Sequence, residues 1–103
     1  MTKAEKRFHD LLCRHVGCAV CRFGRGIPDN DFVSIHHIVG RTKPGCEKLV
    51  LPLCGPDHQT GDKAFHKNKT RFVAAWGTEL ELLEKCRALL CEMGYAEAVE
   101  AVA

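Results

Sequence analysis

No apolar run in this chain approaches the roughly 20 residues needed to span a bilayer, so no membrane partner is expected. No secretory leader is expected, because Met1-Thr2-Lys3-Ala4-Glu5-Lys6-Arg7 leads directly into a charged helical pattern. Internal repeats and linkers are missing too. With 103 residues the chain has room for one small domain, 1–103, and not for two. An even cysteine count is also lacking. There are seven cysteines, a high and odd number for the length. That pattern argues for a reducing, cytoplasmic setting and against a disulfide framework. In such a setting cysteines act as metal ligands or small core residues. So short a chain buries a thin core and gains much from a metal staple.

Charge is present but unevenly placed. Residues 79–103 hold six Glu against Lys85 and Arg87, a balance of −4, which leaves +6 on residues 1–78 out of the net +2. The basic part includes Arg22, Arg25, Arg41, Lys43, Lys48, Lys63, Lys67, Lys69 and Arg71. A phosphate backbone is the natural partner of such a stretch, and a solvated face is the bland alternative.

Along the chain, Thr2-Lys3-Ala4-Glu5 has the form of a capping box. It predicts a helical flank over 1–16, with Ala4, Phe8, Leu11, Leu12 and His15 on one side and Gly17 as its stop. Cys18 to Cys21 predicts a knuckle, followed by a turn-rich loop through Gly24, Gly26, Pro28 and Asp31. Phe32–Val39 reads as a strand, and Leu49–Leu53 as a second one whose Pro52 belongs at an edge. Asp57 to about Trp76 reads as mostly helical, with a break at Gly61-Asp62. Thr78-Glu79-Leu80-Glu81 is a second capping box. It opens a helix over 78–94 with Leu82, Leu83, Cys86, Leu89, Leu90 and Met93 as its apolar face. Gly94 closes that helix, and the tail 95–103 reads as a frayed extra turn.

The chemistry-bearing residues fall inside the basic part. Cys18-Ala19-Val20-Cys21 supplies two thiols from one tight turn, and Cys54-Gly55-Pro56-Asp57-His58 holds the other half of a clamp. Zinc takes four such ligands in a tetrahedron. Cys18, Cys21, Cys54 and His58 are the favoured set. Asp57, three residues after Cys54, is the rarer alternative, and choosing it would free His58 for a second metal. Cys86 and Cys91 read as packing residues, as do Cys13, His9 and His15 of the first helix and its edge. Cys46 is the candidate extra ligand or reactive thiol. Between the halves of the clamp stand His36 and His37. On a strand they would face opposite ways unless the chain bends, and Gly40 just downstream allows a bend.

Ser34-Ile35-His36-His37-Ile38-Val39-Gly40, followed by Leu49-Val50-Leu51-Pro52-Leu53-Cys54-Gly55-Pro56-Asp57-His58, resembles the HNH nuclease signature with flanking zinc knuckles. Within that group, His36-His37-Ile38-Val39-Gly40-Arg41-Thr42, the Leu51–Cys54 run and His66 look like the phage recombination-enhancement (Ref) nucleases. These cut DNA where RecA is bound. The resemblance spans roughly Cys18 to Trp76. It implies an α+β fold, a small zinc-stabilised ββα-metal core over 17–76 with flanking N- and C-terminal helices. It implies His36 as a catalytic-metal ligand, His37 as general base and His66 as the closing metal ligand, with His58 as competitor. Cys18, Cys21 and Cys54 match the knuckles. The implied activity is metal-dependent hydrolysis of DNA phosphodiesters, leaving 5′-phosphate and 3′-hydroxyl ends. The implied cofactors are a structural Zn²⁺ and a catalytic divalent ion, Mg²⁺ or Mn²⁺ or else Zn²⁺. The implied partners are DNA and a RecA filament, in a bacterial host and of phage or prophage origin.

Two departures from the pattern matter. No Asn lies between Asn30 and Asn68, so the family's middle Asn, which orients the base, has no match; Lys48 stands near its place. The usual Pro after the histidine pair is Gly40 here. Arg41, Lys43, Lys48, Lys67, Lys69 and Arg71 are the candidate DNA-binding residues. With no base-reading helix and no aromatic platform in the pattern, low sequence specificity is expected. The rival reading is a non-catalytic zinc-stabilised module that binds nucleic acid or protein.

Overall fold

The computed structural model describes the whole chain, Met1–Ala103, as an α+β structure with one two-stranded sheet and helices on both sides of it in sequence. Helix α1 (Lys3–Leu11) starts where expected. Thr2 accepts from the Glu5 N–H at 3.1 Å and Glu5 returns a bond to the Thr2 N–H at 2.7 Å. The helix runs on as one wider π-helical turn, Leu12–Val16. Phe8, Leu11, Leu12 and Val16 are buried, whereas His15 is exposed beside Tyr95 and does not share their face. Gly17 then reverses the chain at φ +71°, where a Cβ would sit 2.6 Å from the Asn30 carbonyl oxygen. Only glycine fits there, and the close approach lets Cys18 N–H donate to that same oxygen at 2.8 Å.

Cys18 is the N-cap of helix α2 (Ala19–Gly24), so the knuckle is a helix start and not a free loop. Strand β1 (Val33–His37) pairs antiparallel with strand β2 (Val50–Cys54), in register Val33↔Cys54, Ile35↔Pro52 and His37↔Val50. The expected strand over 32–39 is shorter because Ile38 and Val39 enter a turn that Gly40 completes at φ +85°. In a two-stranded sheet both strands are edges, which accommodates Pro52. A 3₁₀ turn, Cys46–Lys48, leads into β2.

The mostly helical stretch expected from Asp57 to about Trp76 does break at Gly61-Asp62, but the break extends to Asn68. One π-helical turn, Pro56–Thr60, ends at Gly61, and helix α3 (Lys69–Trp76) begins only after Asn68 caps Arg71 N–H at 3.1 Å. Local turn chemistry at Gly61-Asp62 and Asn68 outweighs the apolar spacing of Phe65, Phe72, Val73 and Trp76. Helix α4 (Glu79–Glu92) opens on the Thr78–Glu81 capping box, with bonds of 3.1 and 3.0 Å. The tail is not frayed. It folds as helix α5 (Ala96–Glu100), whose Ala98 and Val99, with Val102, join one core. That core is built from Leu12, Val20, Leu53, Phe72, Leu83 and Leu90 among others. Burial of these short apolar side chains against α1 and α4 outweighs the tail's end position. No helix is long and apolar enough to cross a membrane.

Candidate metal centres

Two clusters of donor side chains meet at the end of β2. The first joins Cys18, Cys21, Cys54 and Asp57, all buried, with donor atoms within 4.8 Å of one another. The α2 start presents Cys18 and Cys21, the last residue of β2 presents Cys54, and the turn after it presents Asp57. The three thiols converge on one carboxylate oxygen. Oδ2 of Asp57 lies 3.0 Å from Cys54 Sγ, 3.3 Å from Cys18 Sγ and 3.7 Å from Cys21 Sγ. Arg25 closes the cluster from outside, donating to Asp57 Oδ2 at 2.7 Å and Oδ1 at 2.8 Å in a bidentate pair. The guanidinium also lies 4.6 Å from the Trp76 ring centre. Asn30 and Arg25 each donate to Cys21 Sγ at 3.3 Å.

The cluster could hold a metal ion. Burial pushes the Cys18 thiol up to about 11 and raises Cys54 as well, with the nearby Asp57 adding to both. Burial alone would raise the Asp57 carboxyl. The Arg25 hydrogen bond and the Cys54 and Cys18 thiols hold it below its ordinary value. Raised thiols at Cys18 and Cys54 favour the protonated form, and a divalent cation bound there would displace those protons. The donor set, three sulfurs and one oxygen in a closed buried shell, fits a borderline-soft ion such as zinc.

The second cluster joins His36, His58 and His66, again within 4.8 Å. His36 and His58 are buried, and His66 is exposed. His58 Nε2 and His66 Nε2 are 2.9 Å apart, and Ser34 Oγ, two residues before His36 on the same strand face, contacts His58 Nδ1 at 2.9 Å. His66 sits in a turn, where its N–H donates to the His58 carbonyl at 3.0 Å. His36 Nε2–H donates to Glu79 Oε2 at 2.9 Å, which leaves Nδ1 as its free ligand atom. A carboxylate behind a ligating imidazole fixes tautomer and ring angle. Burial, then repulsion from the neighbouring His36, His66 and Arg41, lowers His58 to about 4, so its ring is neutral at pH 7. Burial also lowers His36, against the pull of Glu79.

A cavity of about 210 Å³ opens over these rings, lined by His36, His37, His58 and His66 with Arg41 and Gln59 among others. His37 therefore reaches the same cavity as His36. It is the last residue of β1, where the strand gives way to the turn. Its Nε2–H donates to Glu47 Oε1 at 2.9 Å.

The residues singled out by sequence separate as follows. Cys18, Cys21 and Cys54 come together, but His58 is not with them. The π-helical turn after Cys54 points Asp57 back at the sulfurs and sends His58 to the histidines, so the structure groups Asp57, and not the favoured His58, with the three thiols. His36, His37 and His66 share the cavity, with His66 on a turn and not on a helix. Among the candidate DNA contacts, Arg41 lines the cavity. Lys43, Lys67, Lys69 and Arg71 are exposed and Lys48 is half-buried. Lys69 also lies 3.8 Å from Glu79. Cys46 is buried in its turn, donates to the Arg41 carbonyl at 3.3 Å and belongs to neither cluster. His9 is buried and contacts Glu47. Glu47, Glu79, Ser34, Gln59 and the outer partner Arg25 were not legible as site residues.

These features define a small α+β domain with one closed donor cluster and one that opens to a basic, histidine-lined cavity. The chain belongs to the family described as recombination enhancement, RecA-dependent nuclease, whose model matches residues 1–91. That span runs from α1 almost to the end of α4, includes both clusters, and leaves out α5. It is thus a nuclease family, tied by its description to RecA and to recombination, and so to DNA.

Proposed function

We propose that the chain is a metal-dependent DNA endonuclease of the HNH type, in which His36, His58 and His66 hold the catalytic ion and His37 is the general base. Cys18, Cys21, Cys54 and Asp57 hold a structural zinc on this reading. The carrying observation is that three imidazoles within ligand distance of one another line the same cavity as a fourth imidazole outside their cluster. Three protein ligands with room beside them is the pattern of a catalytic centre, and a closed set of four is that of a structural one.

A divalent ion bound there would draw charge from the scissile phosphate and the departing 3′-oxygen. The protein's own groups do the rest. His37 takes the proton of the attacking water at Nδ1, because Nε2–H is already given to Glu47. Arg41, at the cavity wall, meets a non-bridging phosphate oxygen. Glu79 keeps His36 in the tautomer that leaves Nδ1 free. Exposed Lys43, Lys67 and Arg71 hold the backbone on either side without reading bases.

The test is nicking of plasmid DNA with Mg²⁺ or Mn²⁺, with and without a RecA filament paired to the target, for wild type and His37→Ala. Cutting by wild type only, dependent on the ion and on RecA, is expected. Cutting without RecA removes the partner requirement. No cutting under any condition, with zinc bound and DNA retained, would reduce the protein to a zinc-stabilised binding module.

A further inference from the structure

The turn that leads into β2 is tied to the N-terminal helix by one histidine. His9 of α1 is 8 % exposed, and its Nε2–H donates to the Glu47 main-chain oxygen at 2.6 Å. The same nitrogen lies 3.6 Å from Glu47 Oε2, while Glu47 Oε1 accepts from His37 at 2.9 Å. The His9 and His37 rings stand edge to face, 6.3 Å apart. One glutamate thus bridges two histidines from elements 28 positions apart in sequence. Burial raises the Glu47 carboxyl, but the hydrogen bond from His37 and the closeness of the His37 and His9 rings more than offset it and hold it below its ordinary value.

From this geometry we infer that Glu47 is the positioning residue for His37, and that His9 holds Glu47 in place. Helix α1 then serves the reaction and not only the core. The inference rests on reading His37 as the base. Glu47 accepts Nε2–H, which leaves Nδ1 as the atom that takes the proton of water. When Nδ1 is protonated, the imidazolium formed faces a fixed carboxylate that remains ionised. No other bond changes at His9 or Glu47. A carboxylate on a short turn would swing freely if only its own backbone held it. The His9 contact to the main-chain oxygen removes that freedom, which is the condition for orientation to lower a barrier.

The experiment measures kcat and KM for RecA-dependent cutting by the full chain, with metal content and circular dichroism as checks on folding. Glu47→Ala is expected to lower kcat roughly 100-fold, within the range a general base contributes, with KM within about 2-fold. The isosteric Glu47→Gln, which accepts the bond without charge, should fall in between. His9→Leu is expected to lower kcat about 10-fold, and His9→Gln, whose amide N–H can reach the same oxygen, should restore most of it. The double variant Glu47→Ala/His37→Ala should be no slower than His37→Ala alone, because a positioning residue has nothing left to position. Penalties that multiply in the double variant, or Glu47→Ala and Glu47→Gln both cutting at the wild-type rate while His37→Ala is dead, overturn this inference alone. Wild-type cutting by His37→Ala overturns it together with the base assignment.

Discussion

The cysteine cluster and the histidine cluster draw neighbouring residues, Asp57 and His58, from one turn, yet they are built to opposite ends. The first is sealed: four donors, all buried, with Arg25 and Asn30 donating inward. The second has three donors, one of them exposed, under a cavity of about 210 Å³. The same strand end serves both because the backbone reverses tightly after Cys54 and throws successive side chains to opposite sides. If the proposed roles hold, ligand number and access separate a staple from a reaction centre more clearly than ligand type does.

The largest effect that would break this contrast is in the sealed cluster. Cys21→Ser is expected to leave the chain unfolded at room temperature by circular dichroism, with no bound zinc. Metal binding in such sites is worth about 10–16 kcal/mol, comparable to the roughly 5–15 kcal/mol that holds an ordinary domain together. A folded, metal-free, active Cys21→Ser would defeat the division of labour. In the open cluster, His66→Ala should remove at least about 100-fold of the cutting rate while shifting stability by no more than roughly 0.5 kcal/mol, because the side chain is exposed. Loss of fold in that variant would make both clusters structural.

Arg25→Gln probes the outer edge of the sealed site. It strips the bidentate partner from a buried carboxylate. The guanidinium is itself about one-third exposed, so the expected cost is about 1–3 kcal/mol by urea unfolding of the loaded protein. The smallest effect falls on the open side, where Thr78→Ala removes the cap that starts α4 one residue before Glu79. About 1 kcal/mol of stability is expected to go, with cutting reduced only slightly. Hydrogen bonds from the Thr78 N–H and hydroxyl hold the Glu81 carboxyl below its ordinary 4.5. A lowered carboxyl stabilises the fold above that value and loses its contribution as pH falls through the lowered one. The stability gap between wild type and Thr78→Ala should therefore narrow on acidification below about pH 4.5, read by thermal unfolding across that range.

Some of this was written locally in the chain. Both capping boxes, the two strand cores and the thiols Cys18, Cys21 and Cys54 follow from patterns a few residues long, and they appear where those patterns place them. The choice between Asp57 and His58 was not legible. It depends on how tightly the turn after Cys54 winds, and the residues Gly55-Pro56 permit more than one turn. Glu47 and Glu79 were invisible for a different reason. Glu79 meets His36 across 43 positions and Glu47 meets His37 across ten, and neither separation has a local signature. The break expected at Gly61-Asp62 is there, but Phe65 mimicked helical spacing in a stretch of turns that lasts until Asn68 caps the next helix.

Asp57 and His58 are joined by a single peptide bond, and that bond has a consequence for supply. Fixing the carboxylate among the sulfurs also fixes where the neighbouring imidazole can go, and the reverse holds by the same free energy. On the reading that each cluster takes an ion, the two uptake equilibria are not independent. Scarcity of the ion at the sulfurs would be felt as weak retention of the ion at the histidines, and the protein would fall silent from the lack of a metal that never touches its substrate.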